Sequence, residues 1–476
     1  MERNDALYQA YCAILREELV PATGCTEPIA LAYCAAKARH VLGRMPDRVR
    51  AQVSGNIIKN VKSVTVPNTG GQKGIRAAVA AGIVAGDEGA GLEALGNVTP
   101  DQIRDIERFA AETPIEVVPL ESGVLLDMIV TVWSGEHEAS VRISHSHTHI
   151  VSIRVDGNTL FSEDGSVEST EATVDYALLT VEDICAFADC LDPDDVSDVL
   201  DRQIECNTAI AAEGLKSGWG ADIGNVLLDT YGSDVRVRAR AQAAAGSDAR
   251  MSGCEMPVVI NSGSGNQGLT VSLPVLEYAR EYGKSREELY RALAVANLCA
   301  IHQKTAIGKL SAYCGAVTAG SGAGAGIAYL LTGDYKTVAH TIVNALAIVS
   351  GIVCDGAKPS CAAKIASAVD AGILGFEMYR KGHQFYGGDG ILSKGIENTI
   401  RNVGELGRDG MRETDRKILQ IMTRNCQRKT GPPSTAKRRD GGPVFHAWAE
   451  AARLLRASKS TVSSSRHSVN GCTKYT

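Results

Sequence analysis

Residues 311–333 read SAYCGAVTAGSGAGAGIAYLLTG, and residues 337–354 read TVAHTIVNALAIVSGIVC. The first run is 23 residues without a charge and the second is 18. Such lengths approach a membrane span. The first run, however, is mostly Gly, Ala, Ser and Thr, and the second contains His340 and Asn344. The pair therefore reads as two tightly packed helices buried in a soluble core, joined by a short connection at 333–336. No membrane partner is expected. Gly320, Gly322, Gly324 and Gly326 alternate too regularly for a phosphate loop and bring no lysine with them. Close helix packing is their expected use.

Working outward, most of the chain from residue 181 onward has helical periodicity and is rich in Ala and Gly. Upstream the pattern changes. From Pro114 to about Arg154 there are short β runs: IEVVPL, LLDMIVTVW, EASVRIS and THIVSIRV. Residues 6–20 and 26–42 read as helices separated by PATGCTEP, where two prolines and a glycine break the periodicity. Arg48 to Ser54 and Val61 to Val66 read as strands, and Lys73 to Ala85 as a small-residue helix. The expected fold class is α+β. Residues 1–175 form an N-terminal α/β portion with a short-stranded β region, and residues 176–422 an Ala/Gly-rich all-helical domain. An acidic linker occupies 161–174, and a basic tail runs over 423–476.

The composition suits a folded protein, with 44% hydrophobic and 22% charged residues among 476. The net charge of −6 is uneven. From Arg424 onward there are 11 Lys/Arg and 2 Asp/Glu, a net of +9; the first 423 residues carry 38 basic and 53 acidic residues, a net of −15. An acidic body argues against nucleic acid as a partner. The tail is expected to lie outside the core function, with a basic interaction arm as the competing reading. The beginning, Met1 to Asp5, leads straight into an amphipathic stretch with no leader pattern. A cytoplasmic location and reduced thiols are therefore expected. Low aromatic content and Ala/Gly helices are compatible with a homodimer.

There are 13 cysteines. Nine read as packing residues or tail passengers, among them Cys12, Cys34, Cys185, Cys190, Cys206 and Cys299 as small core residues and Cys426 and Cys472 in the tail; Cys25 is taken up below. Three differ. Cys314 begins the first uncharged helix, and Cys354 and Cys361 flank DGAKPS, where Gly and Pro let the chain turn. The 40 positions from Cys314 to Cys354 match a helical hairpin returning to its start. Three gathered thiolates suit an iron–sulfur cluster with one iron open to substrate. Buried packing cysteines are the alternative.

Two further motifs carry chemistry in form. Gly263 to Gly268 fits G-x-G-x-x-G after a strand-like Val258–Ile260. No regular βαβ alternation surrounds it. A turn that binds a small anion, such as a carboxylate, through backbone N–H groups and Ser262 and Ser264 is the better functional reading; a purely structural turn is the other. His145, His147 and His149 alternate, so on a strand they would share one face. That pattern suits either a zinc site or rim histidines.

The runs PATGCTEPIALAYCAA (21–36), SGNIIKNVKSVTVPNTGGQKG (54–74), NSGSGNQGL (261–269) and CDGAKPSCAAKI (354–365) together resemble the L-cysteine desulfidase family. That family is related to the iron–sulfur L-serine dehydratase α chain. The resemblance runs from about residue 6 to about residue 422. It implies a 4Fe–4S cluster, no pyridoxal phosphate, and a small amino-acid substrate, L-cysteine or L-serine. Family ligands fall on Cys314 and Cys354, and the C-D-x-x-x-x-x-C arrangement adds Cys361. Cys25 is the family's other functional cysteine, as a ligand or in acid–base work. Its place at a helix start suggests a lowered pKa. The reaction implied is L-cysteine + water → pyruvate + ammonia + sulfide, with serine dehydration the close alternative. A non-catalytic amino-acid-binding homologue is the reading from another class. Ser262, Ser264 and Asn266 are candidates for the substrate carboxylate, with Asn56, Asn68 and Lys73 behind them. His302 and Lys304, just before the Cys314 helix, are further candidates near the site.

Overall fold

The first helix, α1 (Ala6–Glu18), does not pack on the sheet that follows it. Its Tyr8 and Tyr11 rings meet Phe187 at centroid distances of 5.0 and 5.5 Å, deep in a helical core. The computed structural model describes residues 1–163, 174–308 and 311–427. Residues 1–422 form one unit. The greater part of the acidic linker, and the basic tail from residue 428, lie outside the described residues.

After α1 come β1 (Pro21–Thr23), α2 (Thr26–Leu42), β2 (Arg48–Val53), α3 (Gly55–Val61), α4 (Ile75–Ala85) and α5 (Pro100–Glu112). Then follow β3 (Ile115–Pro119), β4 (Asp127–Ser134), β5 (His137–Ser144), β6 (Ile150–Val155) and β7 (Asn158–Ser162). The sheet has six strands in the order β3-β2-β4-β5-β6-β7. β2 and β3 are parallel and the remaining pairs antiparallel. Alternating residues such as Met128, Val130 and Val132 bury one face under α2 and α4. The strand expected at Val61–Val66 is absent. α3 takes its first residue, and the chain then turns back so that Thr65 bridges Lys73. Burial of Ile57, Lys59, Asn60 and Val61 outweighs the β preference of so short a run.

The helical part contains α6 (Val181–Cys190), α7 (Ser197–Gly214), α8 (Ile223–Tyr231), α9 (Val235–Met251), β8 (Pro257–Val259), α10 (Gly265–Glu281) and α11 (Arg286–Ile307). It ends with α12 (Gly315–Thr332), α13 (Tyr335–Ile348), α14 (Cys361–Arg380), α15 (Ile396–Glu405) and α16 (Arg412–Gln427). α12 is the central helix, and its alternating glycines serve two neighbours. Gly320 and Gly324 lie against Ala368 and Gly372 of α14, while Gly322 and Gly326 lie against Ala292, Ala296 and Ala300 of α11. A Cβ on Gly324 would sit 2.7 Å from the Gly372 carbonyl oxygen. Bare backbone on two faces lets three helices approach closely and gain dispersion contacts along their length. Gly333, in the left-handed region, closes α12, and Asp334 caps α13 by accepting from the Thr337 N–H at 2.8 Å. That is the short hairpin connection. Among the described residues no helix is long and apolar enough to cross a membrane.

β1 pairs antiparallel with β8, Pro21 opposite Val259. Because 236 positions separate Cys25 from Asn261, this ladder is what brings the PATGCTEP turn to the NSGSGNQG turn.

Candidate functional site

The α12–α13 hairpin returns to its origin. Tyr313 and Val353 form an antiparallel bridge; the Cys314 N–H donates to the Ile352 oxygen at 2.9 Å, and the Cys354 N–H to the Ala312 oxygen at 2.7 Å. Cys314 and Cys354 therefore lie side by side with their thiols hydrogen-bonded to each other. Cys361, the first residue of α14, completes a wall of three partly accessible thiols. Between Cys354 and Cys361 the chain crosses α3 at Gly356 (φ +94°), where a Cβ would sit 2.1 Å from the Lys59 oxygen. Only glycine allows that crossing. Asp355 ties this loop down through Lys358 and, at 2.6 Å, Lys364.

Two buried lysines face the thiols. Lys59 is held by Asp415 of α16 at 2.6 Å, and Lys304 comes from the last turn of α11. The hydrogen bond from Cys314 brings Cys354 down to about 5, with Lys59 and Lys304 adding to the effect against burial. Cys314, the donor, is pushed up by that same bond and by burial. Burial also raises Cys361 and brings Lys304 down to about 8.

The opposite wall belongs to α2. Cys25 is its N-cap residue but makes no side-chain cap bond. Its Sγ donates instead to Glu27 Oε2 at 3.1 Å. Thr26 Oγ1 donates to the same oxygen at 3.1 Å, and Asn60 Nδ2 donates to Oε1 at 2.8 Å. The lowered pKa expected for Cys25 is not found. Burial first, then the Glu27 charge, pushes the thiol well above its usual value. A helix N-terminus is a weaker influence than a carboxylate in contact. Burial alone would raise Glu27, but the His147 ring, the Cys25 bond, its own N–H and Arg250 outweigh it and hold Glu27 low.

Both walls enclose a cavity of about 580 Å³. Cys25, Ser262, Ser264, Asn266, Cys314, Cys354 and Cys361 all line it, and so does Lys304. Asn56, Asn68 and Lys73 are not among its lining residues. Asn56 is buried in α3 with Oδ1 unpartnered, Asn68 donates to the Leu95 oxygen at 2.6 Å, and Lys73 is exposed. His302 is likewise elsewhere, on Glu397 at 2.6 Å. The histidines do not share a strand face, because β5 ends at Ser144 and residues 145–149 form a turn. His147 and His145 line the cavity, whereas His149 bonds Glu163 at 2.9 Å. Sequence reading missed Glu27, Lys59, Asn60, Arg250 and Gln267 as lining residues. The one available signal was adjacency, since Glu27 lies two positions from Cys25 and Lys59 and Asn60 fall inside a family-like run.

Among the described residues no three His, Cys, Asp or Glu side chains gather as they would around a single ion. Three thiols along one wall suit a multi-iron cluster instead, in which each thiolate takes a separate iron. The adjoining Lys304, and Lys59 with its Asp415 partner, would add positive charge beside such a group.

Residues 89–420 match the family described as serine dehydratase alpha chain. A UPF0597 protein of Desulfitobacterium hafniense (strain Y51) is 57% identical over 426 residues, covering 90% of this chain and 99% of the relative. UPF0597 proteins of Lachnoclostridium phytofermentans and Treponema denticola are 50% and 46% identical, covering 87% and 89% of this chain and 100% of each relative. The matched region takes in β3 to β7 and the whole thiol wall. The chain thus belongs to the serine dehydratase alpha-chain family of iron–sulfur lyases.

Proposed function

We propose that the protein is a 4Fe–4S-dependent lyase that removes sulfide from L-cysteine, giving pyruvate and ammonia, with L-serine as the alternative substrate of the same chemistry. The observation that carries this reading is the meeting, in one cavity, of three thiols with a buried thiol–carboxylate pair. Cys314, Cys354 and Cys361 would hold the cluster. When bound, it supplies Lewis acidity at an iron the protein leaves open.

The chain's own residues handle position and protons. Ser262, Ser264 and Asn266 line the cavity beside the start of α10 and would receive the substrate carboxylate. The Cα proton of an amino acid is weakly acidic, so its removal needs a strong base held dry. Cys25 Sγ takes the Cα proton as its own proton passes to Glu27 Oε2, 3.1 Å away, and Glu27 returns that proton to the departing β-substituent. Proton loss at Cα and departure of the β-substituent leave an enamine, which tautomerises and hydrolyses to pyruvate and ammonia.

Anaerobic purification followed by iron, sulfide and pyruvate assays tests the reading. The expected result is a brown protein with about four irons per chain that releases sulfide and pyruvate in equal amounts from L-cysteine. Pyruvate from L-serine alone would move the assignment to a serine dehydratase. An iron-free protein without either activity would leave an amino-acid-binding homologue.

A further inference from the structure

Arg250 stands in the last turn of α9, is 3% exposed, and lines the cavity. Its Nη1 donates to Asn266 Oδ1 at 3.1 Å, and its Nε has no hydrogen-bond partner. Among the described residues no carboxylate is ion-paired with it. Glu27, whose charge it influences, is already engaged by Cys25, Thr26 and Asn60. A buried guanidinium left this way is costly unless an anion completes it.

A second cationic feature adjoins it. α10 is 17 residues long, and its N-cap, Ser264, makes no side-chain cap bond. The first N–H groups of the helix therefore have no partner within the helix, and they form its positive end. The two features touch. A Cβ on Gly265 would lie 2.5 Å from Arg250 Nε, so glycine here leaves room for the guanidinium. Ser262, on the same turn, is held at φ +49°, an uncommon conformation for a non-glycine residue and a mark of a functional turn.

We propose that Arg250 anchors the α-carboxylate of the amino-acid substrate, with the N–H groups at the start of α10 completing its coordination. This rests on the lyase reading for the identity of the substrate, but it concerns binding alone. Guanidinium and carboxylate pair through two parallel charge-assisted bonds, which fixes orientation as well as charge. Glu27 lines the same cavity with the opposite sign, so the cavity offers both charges that a free amino acid carries.

The test uses the anaerobically purified full chain and compares binding of pyruvate with that of pyruvamide by calorimetry. Pyruvamide has nearly the same shape and no charge. The wild type is expected to prefer pyruvate. In Arg250→Gln and Arg250→Lys that preference falls by about 10- to 100-fold, a range set by the worth of charge-assisted hydrogen bonds. KM for L-cysteine rises by a similar factor, with kcat changed less. Asn266→Asp provides the check should Arg250→Gln fail to fold. It is isosteric, gives Arg250 an internal carboxylate, and is expected to weaken pyruvate binding in the same way. An unaltered preference for pyruvate in Arg250→Lys and Asn266→Asp overturns the proposal while leaving the lyase reading intact. A wild type that binds pyruvate through Arg250 but releases neither sulfide nor pyruvate sinks the lyase reading and leaves Arg250 as the anchor.

Discussion

Cys25 and Cys354 face the same cavity from opposite walls, and their surroundings drive them in opposite directions. Cys25 meets a carboxylate and keeps its proton; Cys354 meets another thiol and two lysines and loses it readily. Burial opposes ionisation at both. The difference therefore comes first from the hydrogen bond that Cys314 gives Cys354, and then from the sign of the neighbouring charge, set by α2 on one side and by α3 and α11 on the other. A thiol kept neutral beside a base suits proton transfer, and a thiolate beside cations suits ligation.

The largest expected effect would come from Cys354→Ala. It should remove most of the iron and lower sulfide release by about 10³-fold or more, the scale of several kcal/mol of lost Lewis-acid assistance. Cys299→Ala, at a fully buried thiol far from any ligand role, should leave the iron content unchanged. Cys25→Ser is expected next, with turnover reduced about 10²- to 10⁴-fold and iron retained. Loss of iron in Cys25→Ser would break the contrast and make Cys25 a ligand. Glu27→Gln tests its electrostatic cause. With the carboxylate gone the Cys25 pKa drops, and alkylation by iodoacetamide at pH 8 should speed up several-fold; an unchanged rate would show that burial alone governs this thiol.

The smallest effect is a control away from both walls. Glu397 is partly buried, which raises its pKa, but the His302 bond and the Val181 N–H hold it below its ordinary value. A depressed carboxyl stabilises the fold above its unfolded value, about 4.3, and that contribution vanishes as the pH falls through the folded value. The stability gap between wild type and Glu397→Gln, about 1 kcal/mol at neutral pH, should therefore close on acidification. Sulfide release at neutral pH should be unaffected.

Parts of this arrangement were legible in the residues. The uncharged helical hairpin, the 40-residue return from Cys314 to Cys354, and the glycines reserved for close packing all follow from local periodicity. The short strands and the turn at Ser262–Ser264 followed similarly. Other parts were not. The alternation of His145, His147 and His149 suggested a strand face, but strand pairing stops at Ser144, and periodicity cannot announce where a partner strand ends. The helix-start position of Cys25 pointed to a low pKa, because proximity to Glu27 in sequence does not say which way that carboxylate turns.

The sequence by itself determined the fold class, the helical packing of α12, and which cysteines stand apart from the packing ones, because those properties depend on composition and short-range spacing. Only the tertiary structure decided what each thiol is. The β1–β8 ladder joins segments more than 230 positions apart, α3 carries Lys59 beneath Cys354, and α9 delivers Arg250 to the start of α10. Charge acts through space and over a few ångströms, so the character of a buried group is fixed by neighbours that the order of residues along the chain does not reveal.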